Sequence, residues 1–318
     1  MFYHIDCIEG ARKHLQDASV DLIITDPPYG IGGDTLHKHY NRNEDFVLDG
    51  YIEVPMAEYP AFTNDWITEA ERVLKPGGSM YIVSGYTNLI HILNALSKTD
   101  LKEVNHIIWK FNFGVYTSKK YISSHYHILY YVKPGKPSTF NTFARYADTE
   151  KHETEGGSLN YQDREDVWQI NKEFKPGKIK NKNELPTQLL TKMIQYSSNE
   201  GDLVCDFFLG SFSTAKVAIG LNRIACGFEK SAIAYNYQIQ EIKQVVPGSL
   251  LEQLRIPPAN IYVNQSKPLT EGEKTTILLR FDGLKAAGKT KKAAIEQMGL
   301  EFGRGPWSLE RILKNRNV

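Results

Sequence analysis

Hydrophobic residues gather or alternate over short stretches at Phe2–Cys7, Asp21–Thr25, Ser79–Ser84, Asn105–Lys110, His125–Val132, Leu203–Phe208 and Ile224–Phe228, the pattern of buried and half-buried strands. Helix-length segments separate most of them. Thr68–Leu74 predicts a helix stopped by Lys75-Pro76-Gly77-Gly78, and Thr187–Tyr196 predicts another that begins after Pro186. Strands alternating with helices predict an α/β, doubly wound, essentially parallel sheet. Between Lys133 and Lys180 the periodicity fades into polar residues with Gly and Pro, which predicts an insertion. Val246-Pro247-Gly248 marks a second break, and beyond it lie about 70 residues of different composition. The expected organisation is one domain over 1–248, with the insertion at about 134–180, and a small helical domain over 249–318. No internal repeat or low-complexity tract interrupts this plan.

The strand at Asp21–Thr25 runs into Asp26-Pro27-Pro28-Tyr29-Gly30. Two prolines can neither continue a helix nor donate to a sheet ladder, so the strand must stop there. In open α/β sheets ligands bind outside the carboxyl ends of strands, where Asp26 would sit. A carboxylate, a proline carbonyl and an aromatic ring make a compact group of acceptors that suits a planar ligand bearing an amino group. The same four residues also make a plain tight turn. A second stretch, Leu203–Gly220, reads strand, Gly-containing loop, helix, which brings a ligand to a helix N-terminus. About 20 residues after Asp206, the strand Ile224–Phe228 ends in Glu229, where an acidic side chain meets ribose hydroxyls in Rossmann-like units. Only Gly210 fits the three-glycine dinucleotide fingerprint, which argues against NAD and for a smaller nucleoside.

The 318 residues, 41% hydrophobic and 24% charged, have the composition of a globular protein able to bury a core. No apolar run reaches membrane-spanning length and the first residues lack the regions of a signal peptide, so a cytoplasmic protein with no membrane partner is expected. Cys7, Cys205 and Cys226 stand singly in apolar runs, and His37-x-His39 and His125-x-His127 lack a nearby third ligand, so no metal site is expected. A formal net charge of +1 means that nucleic-acid binding would rest on local basic patches.

From Phe2 to Ile242 the chain resembles the β-class S-adenosylmethionine-dependent DNA amino-methyltransferases. The resemblance is carried by "HIDCIEGARKHLQDASVDLIITDPPYG", "WITEAERVLKPGGSMYIV", "IIWKFNFGVYTSKKYISSHYHILYYVK" and "LPTQLLTKMIQYSSNEGDLVCDFFLGS", in the permuted order of that family, catalytic motif first and cofactor motif last. It implies a Rossmann-like methyltransferase fold with one antiparallel strand and a target-recognition insertion, beside the helical C-terminal domain read from the residues. It implies transfer of a methyl group from S-adenosylmethionine to an exocyclic base nitrogen flipped out of double-stranded DNA. Asp26, Pro27, Pro28 and Tyr29 would be catalytic: Asp26 and the Pro27 carbonyl accept the two amino hydrogens and Tyr29 stacks on the base. Asp6, Cys7, Asp26, Pro186, Asp206, Phe207, Phe208, Gly210, Ser211, Phe212, Ser213, Glu229 and Lys230 would line the cofactor site, Asp6 meeting the adenine amino group of the cofactor. In this family Asp at the first motif position mostly goes with adenine N6, and Ser with cytosine N4, so adenine is expected and cytosine N4 is the alternative. A homodimer and a cognate restriction endonuclease are the partners such enzymes leave open.

Three departures from the family pattern stand out. Phe207 and Phe212 occupy positions usually held by proline and glycine in the cofactor loop, Leu185 stands at a usual lysine, and His125-Tyr126 replaces His-Glu. A bulky Phe212 is expected to narrow the methionine end of the pocket. The altered loop also leaves open a non-catalytic DNA-binding subunit that keeps the fold. Sequence readout is expected in 134–180, around Phe140, Phe143, Arg145, Tyr146 and Lys175, Lys178, Lys180 and Lys182, and in the polar loop after the catalytic motif, which is expected to order on DNA. Near the C-terminus, helices Thr290–Met298 and Trp307–Asn315 about a Gly-containing turn resemble a helix-turn-helix. From Lys285 onward eight Lys/Arg stand against three Asp/Glu, consistent with phosphate contacts.

Overall fold

The computed structural model describes residues 1–30, 53–114, 116–154, 156–173, 184–258, 262–264 and 267–315. The polar loop after Asp26-Pro27-Pro28-Tyr29, His37-x-His39 and Lys175, Lys178, Lys180 and Lys182 lie outside the described residues. Two compact units emerge, one made of Met1–Arg145 and Asn160–Ile256, the other of Tyr146–Leu159 and Pro257–Val318.

The first unit is built on eight strands. They are β1 (Phe2–His4), β2 (Val20–Thr25), β3 (Leu74–Ser84), β4 (Lys102–Lys110), β5 (His125–Val132), β6 (Val167–Gln169), β7 (Leu203–Asp206) and β8 (Ile224–Glu229). Their order across the sheet is β1-β8-β7-β2-β3-β5-β4-β6. β5 runs antiparallel to both β3 and β4, and the other pairs are parallel. The reversed strand agrees with the expected fold. From β2 the connection through α2 (Tyr59–Val73) steps to β3, while from β7 the connection through α6 (Ser213–Gly220) steps the other way to β8. The order therefore diverges between β2 and β7, and it is outside the carboxyl ends of strands at such a switch point that open α/β sheets form a ligand crevice.

β2 is buried along nearly its whole length because both faces are covered, as a parallel strand requires. One face packs Leu22 and Ile24 with Tyr81, Val83, Leu189, Met193 and Val204. The other packs Ile23 with Trp66, Ile67, Met80, Ile82 and Phe207. α1 (Cys7–His14), α2 and α3 (Leu89–Leu96) carry residues of this second core, while α5 (Thr187–Ser197) and α6 contribute to the first. α4 (Leu159–Asp163) is a short turn before β6, and α7 (Ala232–Ile242) follows β8.

Several boundaries differ from the sequence expectation. The first strand ends at His4 rather than Cys7, because the Asp6 carboxylate accepts the Ile8 N–H at 3.0 Å and starts α1. Lys75-Pro76-Gly77-Gly78 lies within β3 rather than ending a helix in a loop: Gly77 N–H donates to the Lys133 carbonyl at 2.8 Å and Lys133 N–H to the Gly78 carbonyl at 3.0 Å. The polar insertion contains α4 and β6, and Trp168 of β6 is buried against the first core.

In the second unit α8 (Glu271–Ala286), α9 (Lys291–Phe302) and α10 (Pro306–Lys314) share a core of Ile277, Leu284, Ala294, Ile295, Met298, Leu309 and Ile312. Gly303, at φ 60°, ends α9 in the left-handed region that glycine occupies without cost. Arg304 is buried in the turn and forks onto Glu273 at 2.6 and 2.8 Å, while also donating to the carbonyls of Asn264, Lys267 and Pro268. Tyr146–Leu159 folds on itself, with Leu159 N–H donating to the Glu150 carbonyl at 3.0 Å. Among the described residues no helix is long and apolar enough to cross a membrane.

Candidate active site

β2 and β7 lie side by side, Ile23 opposite Cys205, so Asp206, one residue on, and Asp26, three residues on, both lie at the carboxyl end of the pair. The Thr25 hydroxyl donates to Asp206 Oδ1 at 3.0 Å and links the two ends directly. Phe208 N–H donates to the same oxygen at 3.0 Å. After Asp26 the chain turns sharply, and the Tyr29 hydroxyl reaches back to donate to Asp26 Oδ1 at 2.6 Å. Gly30 closes the turn at φ 64°, and a Cβ there would fall 2.7 Å from the Tyr59 ring, so both conformation and space select glycine.

Two residues that the sequence reading missed clamp this turn. Asn88, itself at φ 63° ahead of α3, donates its side-chain amide to the carbonyls of Tyr29 and Gly30 at 2.7 and 3.2 Å. Glu53 accepts the Gly30 N–H at 2.9 Å. Neither lies in a motif, since each acts across a distance in sequence that local patterns do not register.

Burial governs the charges here. It pushes the Asp26 carboxyl up to about 7; the Tyr29 hydrogen bond opposes this, Asp206 reinforces it, and Lys172 pulls it down. Asp206 is pushed up to about 6 by burial, against hydrogen bonds from Thr214, Phe208 and Thr25. Glu229 is raised for the same first reason, although the N–H groups of Ser231 and Gly210 donate to its two oxygens at 2.7 and 2.8 Å. The crevice is thus lined by carboxylates that gain from a nearby positive charge.

The remaining expected cofactor residues fall in groups. Asp6 caps α1 and its second oxygen lies 3.3 Å from Lys230 Nζ, while Cys7 is buried in the first turn of that helix. Gly210 at φ 48° meets Glu229, and Ser211 and Ser213 share a hydroxyl–hydroxyl hydrogen bond. Phe208 is half-buried against Phe62 and Trp66. Pro186 stands at the head of α5, which Glu173 secures by accepting the Thr187 N–H at 2.5 Å. Leu185 is buried in the core.

The expectation for Phe212 is corrected. Its ring is fully buried, packed 5.2 Å from Phe2 and 6.2 Å from Tyr235, and so does not narrow an open crevice. Phe207 is buried likewise, between Trp66 and Phe228. Arg145 is also turned inward, donating to Asp163 at 2.9 Å and Gln195 at 3.0 Å, which makes it a framework residue rather than an open contact. Phe140 stacks on Tyr196 at 5.2 Å. His127 pairs with His106 across β4 and β5 at 2.8 Å.

Beside Tyr29 rises a wall of rings. Tyr126 lies 5.9 Å from Tyr29, and Trp109 and Phe111 pack on Tyr126 at 5.6 and 5.4 Å. Trp109 is fixed by its indole N–H, which donates to the Ile170 carbonyl at 2.7 Å. A flat group entering the crevice would find carboxylates along one side and aromatic faces along another.

The DNA methylase family model N6_N4_Mtase matches residues 20–241, which take in both β2 and β7 and the loops that follow them. The Type II methyltransferase M.HpaI of Haemophilus parainfluenzae is 33% identical over 227 residues, 69% of this chain and 67% of that protein. The Type II methyltransferase M.BamHI of Bacillus amyloliquefaciens is 34% identical over 244 residues, 71% of this chain and 53% of its own length. Among solved structures, TTHA0409 of Thermus thermophilus complexed with S-adenosyl-L-methionine has the same fold, with a TM-score of 0.52 at 22% identity over 78% of this chain and 94% of that one. The protein belongs to the N6/N4 DNA methylase family.

Proposed function

We propose that the protein transfers a methyl group from S-adenosylmethionine to the N6 amino group of an adenine flipped out of double-stranded DNA, acting in the cytoplasm. The observation that carries this reading is the junction of Asp26 and Asp206 at the divergence of the sheet, with Tyr29 bonded to Asp26 at 2.6 Å. The cofactor supplies an electrophilic methyl on a positively charged sulfonium. Asp26, Asp206 and Glu229, all raised by burial, form the kind of acidic crevice in which such a cation is held. Gly210 lets the main chain approach closely there, and Asp6 offers an acceptor for an adenine amino group.

A base amino nitrogen is a poor nucleophile because its lone pair is delocalised into the ring. Asp26 and the Pro27 carbonyl each accept one amino hydrogen, which draws the nitrogen toward tetrahedral geometry and gathers the lone pair on the side facing the methyl group. Clamping by Asn88 and Glu53 fixes that geometry before the base arrives, so catalysis is mainly positioning and electrostatics. The nitrogen loses its proton after methylation, and Asp26, with a pKa of about 7, is suited to accept it. Tyr29 and the neighbouring aromatic wall provide a surface for the base. Asp26 at the head of the motif favours adenine over cytosine. The helices α8, α9 and α10 of the second unit bind the duplex through Lys289, Lys291 and Lys292 around the start of α9.

The test is mass spectrometry of nucleosides from the DNA of a methylation-free host that expresses the wild type or Asp26→Ala. N6-methyladenine from the wild type alone is expected. N4-methylcytosine would move the target to cytosine, and no modified base from a folded wild type given saturating cofactor in vitro would refute the enzyme reading.

A further inference from the structure

Lys172 comes from the polar insertion and belongs to no motif, yet the fold fixes it over the aromatic wall of the active site. Its ammonium lies 4.6 Å from the centre of the Phe111 ring and 4.9 Å from that of Tyr126, the ring that packs on Tyr29. Cation–π contact of this kind holds a lysine head while leaving its charge intact. Tethers on both sides set its position. Ile170 N–H donates to the Lys110 carbonyl at 3.0 Å and the Ile170 carbonyl accepts the Trp109 indole N–H at 2.7 Å. One residue beyond Lys172, the Glu173 carboxylate accepts both the N–H and the hydroxyl of Thr187 at 2.5 and 3.3 Å, joining the segment to α5.

We infer that Lys172 is a positioning residue of the transfer reaction: held over Phe111 and Tyr126, it keeps the Asp26 carboxylate charged and acceptor-only when the substrate amino group arrives. The inference rests on the function proposed above. Asp26 must be ionised to accept from an amino group without offering a competing proton, and its surroundings otherwise oppose this. Asp206 faces it from β7 with like charge, and Glu53 lies across the turn at Gly30. Tyr59, from α2, is neutral in this range because burial first, and then Glu53 and Asp26, push its phenol up to about 12. Tyr29 donates one hydrogen bond to Asp26, and Lys172 adds positive charge. Removing that charge leaves Tyr29 to act against both burial and Asp206.

The experiment compares wild type with Lys172→Met and Lys172→Arg in two readouts. In protein labelled with 13C at the aspartate carboxyls, with the Asp26 signal assigned by its absence in Asp26→Asn, the Asp26 titration midpoint is expected to rise by about half a unit or more in Lys172→Met, less than the roughly 1–3 units of a directly paired opposite charge, because Lys172 is the smallest of the influences on Asp26. In Lys172→Arg it stays within about 0.2 units, because the cation is retained. Single-turnover methylation by Lys172→Met is expected to fall several-fold at pH 6.5 and to approach the wild-type rate at pH 9, where Asp26 is ionised regardless, with KM for DNA little changed. An unmoved midpoint, or a rate loss equal at both pH values, overturns the inference. The carboxyl titration reads the coupling whether or not methyl transfer is detected, so inactivity of the wild type would sink the proposed function and leave this result standing. If Lys172→Met melts early, Lys172→Gln removes the same charge with a more soluble side chain.

Discussion

Replacing Asp26 with Asn is expected to abolish methylation and at the same time to make the protein more stable, by an amount that depends on pH. Burial raises the Asp26 carboxyl from the ordinary value of 3.8 to about 7. A carboxyl whose folded pKa is raised contributes stability that is present at low pH and lost as the pH rises through the folded value, since above it the fold must hold a charge that it disfavours. A shift of about three units at 1.36 kcal/mol each sets a ceiling of about 4 kcal/mol at pH 8. Asp26 is only half-buried, so solvent relaxation reduces this to about 2 kcal/mol. Asn retains an oxygen for the Tyr29 hydroxyl and introduces no charge. The gain should fall to less than half of its pH 8 value at pH 5, where the folded carboxyl is protonated and only the unfolded one is ionised, and should vanish near pH 3. Urea unfolding of wild type and Asp26→Asn at pH 8, 5 and 3.5, followed by tryptophan fluorescence, measures all of this. Equal stability changes at the three pH values, or a loss at pH 8, would refute the electrostatic account of the site.

Two further substitutions test the packing described above. Phe212→Ala removes a fully buried ring and should cost about 3 kcal/mol in denaturant unfolding; Phe212→Gly should cost about 1 kcal/mol less, despite the smaller side chain, because Phe212 sits at φ 58° where only glycine is unstrained, and a Gly variant no better than Ala would contradict this. Arg304→Ala leaves Glu273 and three carbonyls without their buried partner and should cost the helical unit about 3 kcal/mol, seen as an early urea phase in hydrogen exchange confined to α8, α9 and α10, whereas a uniform shift of the whole chain would argue against its local role.

What was legible in the sequence follows from the range of the interactions involved. The buried strands of the first unit could be read because parallel strands covered on both faces carry continuous apolar runs, as Leu22-Ile23-Ile24 does. The tetrapeptide after β2 and the loop after β7 could be read because turn chemistry is local. Asn88, Glu53 and Lys172 could not, since what brings each to Asp26 or Gly30 is the tertiary fold. β6 was hidden for a different reason: among the described residues it pairs with β4 alone, at the sheet edge, and buries one residue, Trp168, so its three residues show no period. Phe212 was misjudged because a glycine position was assumed to face the ligand. Its backbone keeps the glycine conformation while its ring turns into the core. Lys75–Gly78 reads as a stop signal, and only the partner carbonyl of Lys133 turns it into strand.

The hydrogen bond from Thr25 to Asp206 spans 181 positions of the chain, and β1 waits still longer for its neighbour β8. Contacts that close so large a loop form late in folding, because the entropy of closure comes before any gain from the contact. On a ribosome moving at roughly 5–20 residues per second, some ten to forty seconds separate the synthesis of the two carboxylates. During that interval the Asp26 turn exists without its crevice, and β2 offers the unfilled edge that β7 will later occupy. Chains broken off in that window carry the whole Asp26–Tyr29 turn without the strand that completes its surroundings, and their bare strand edge makes them targets for chaperones and proteases.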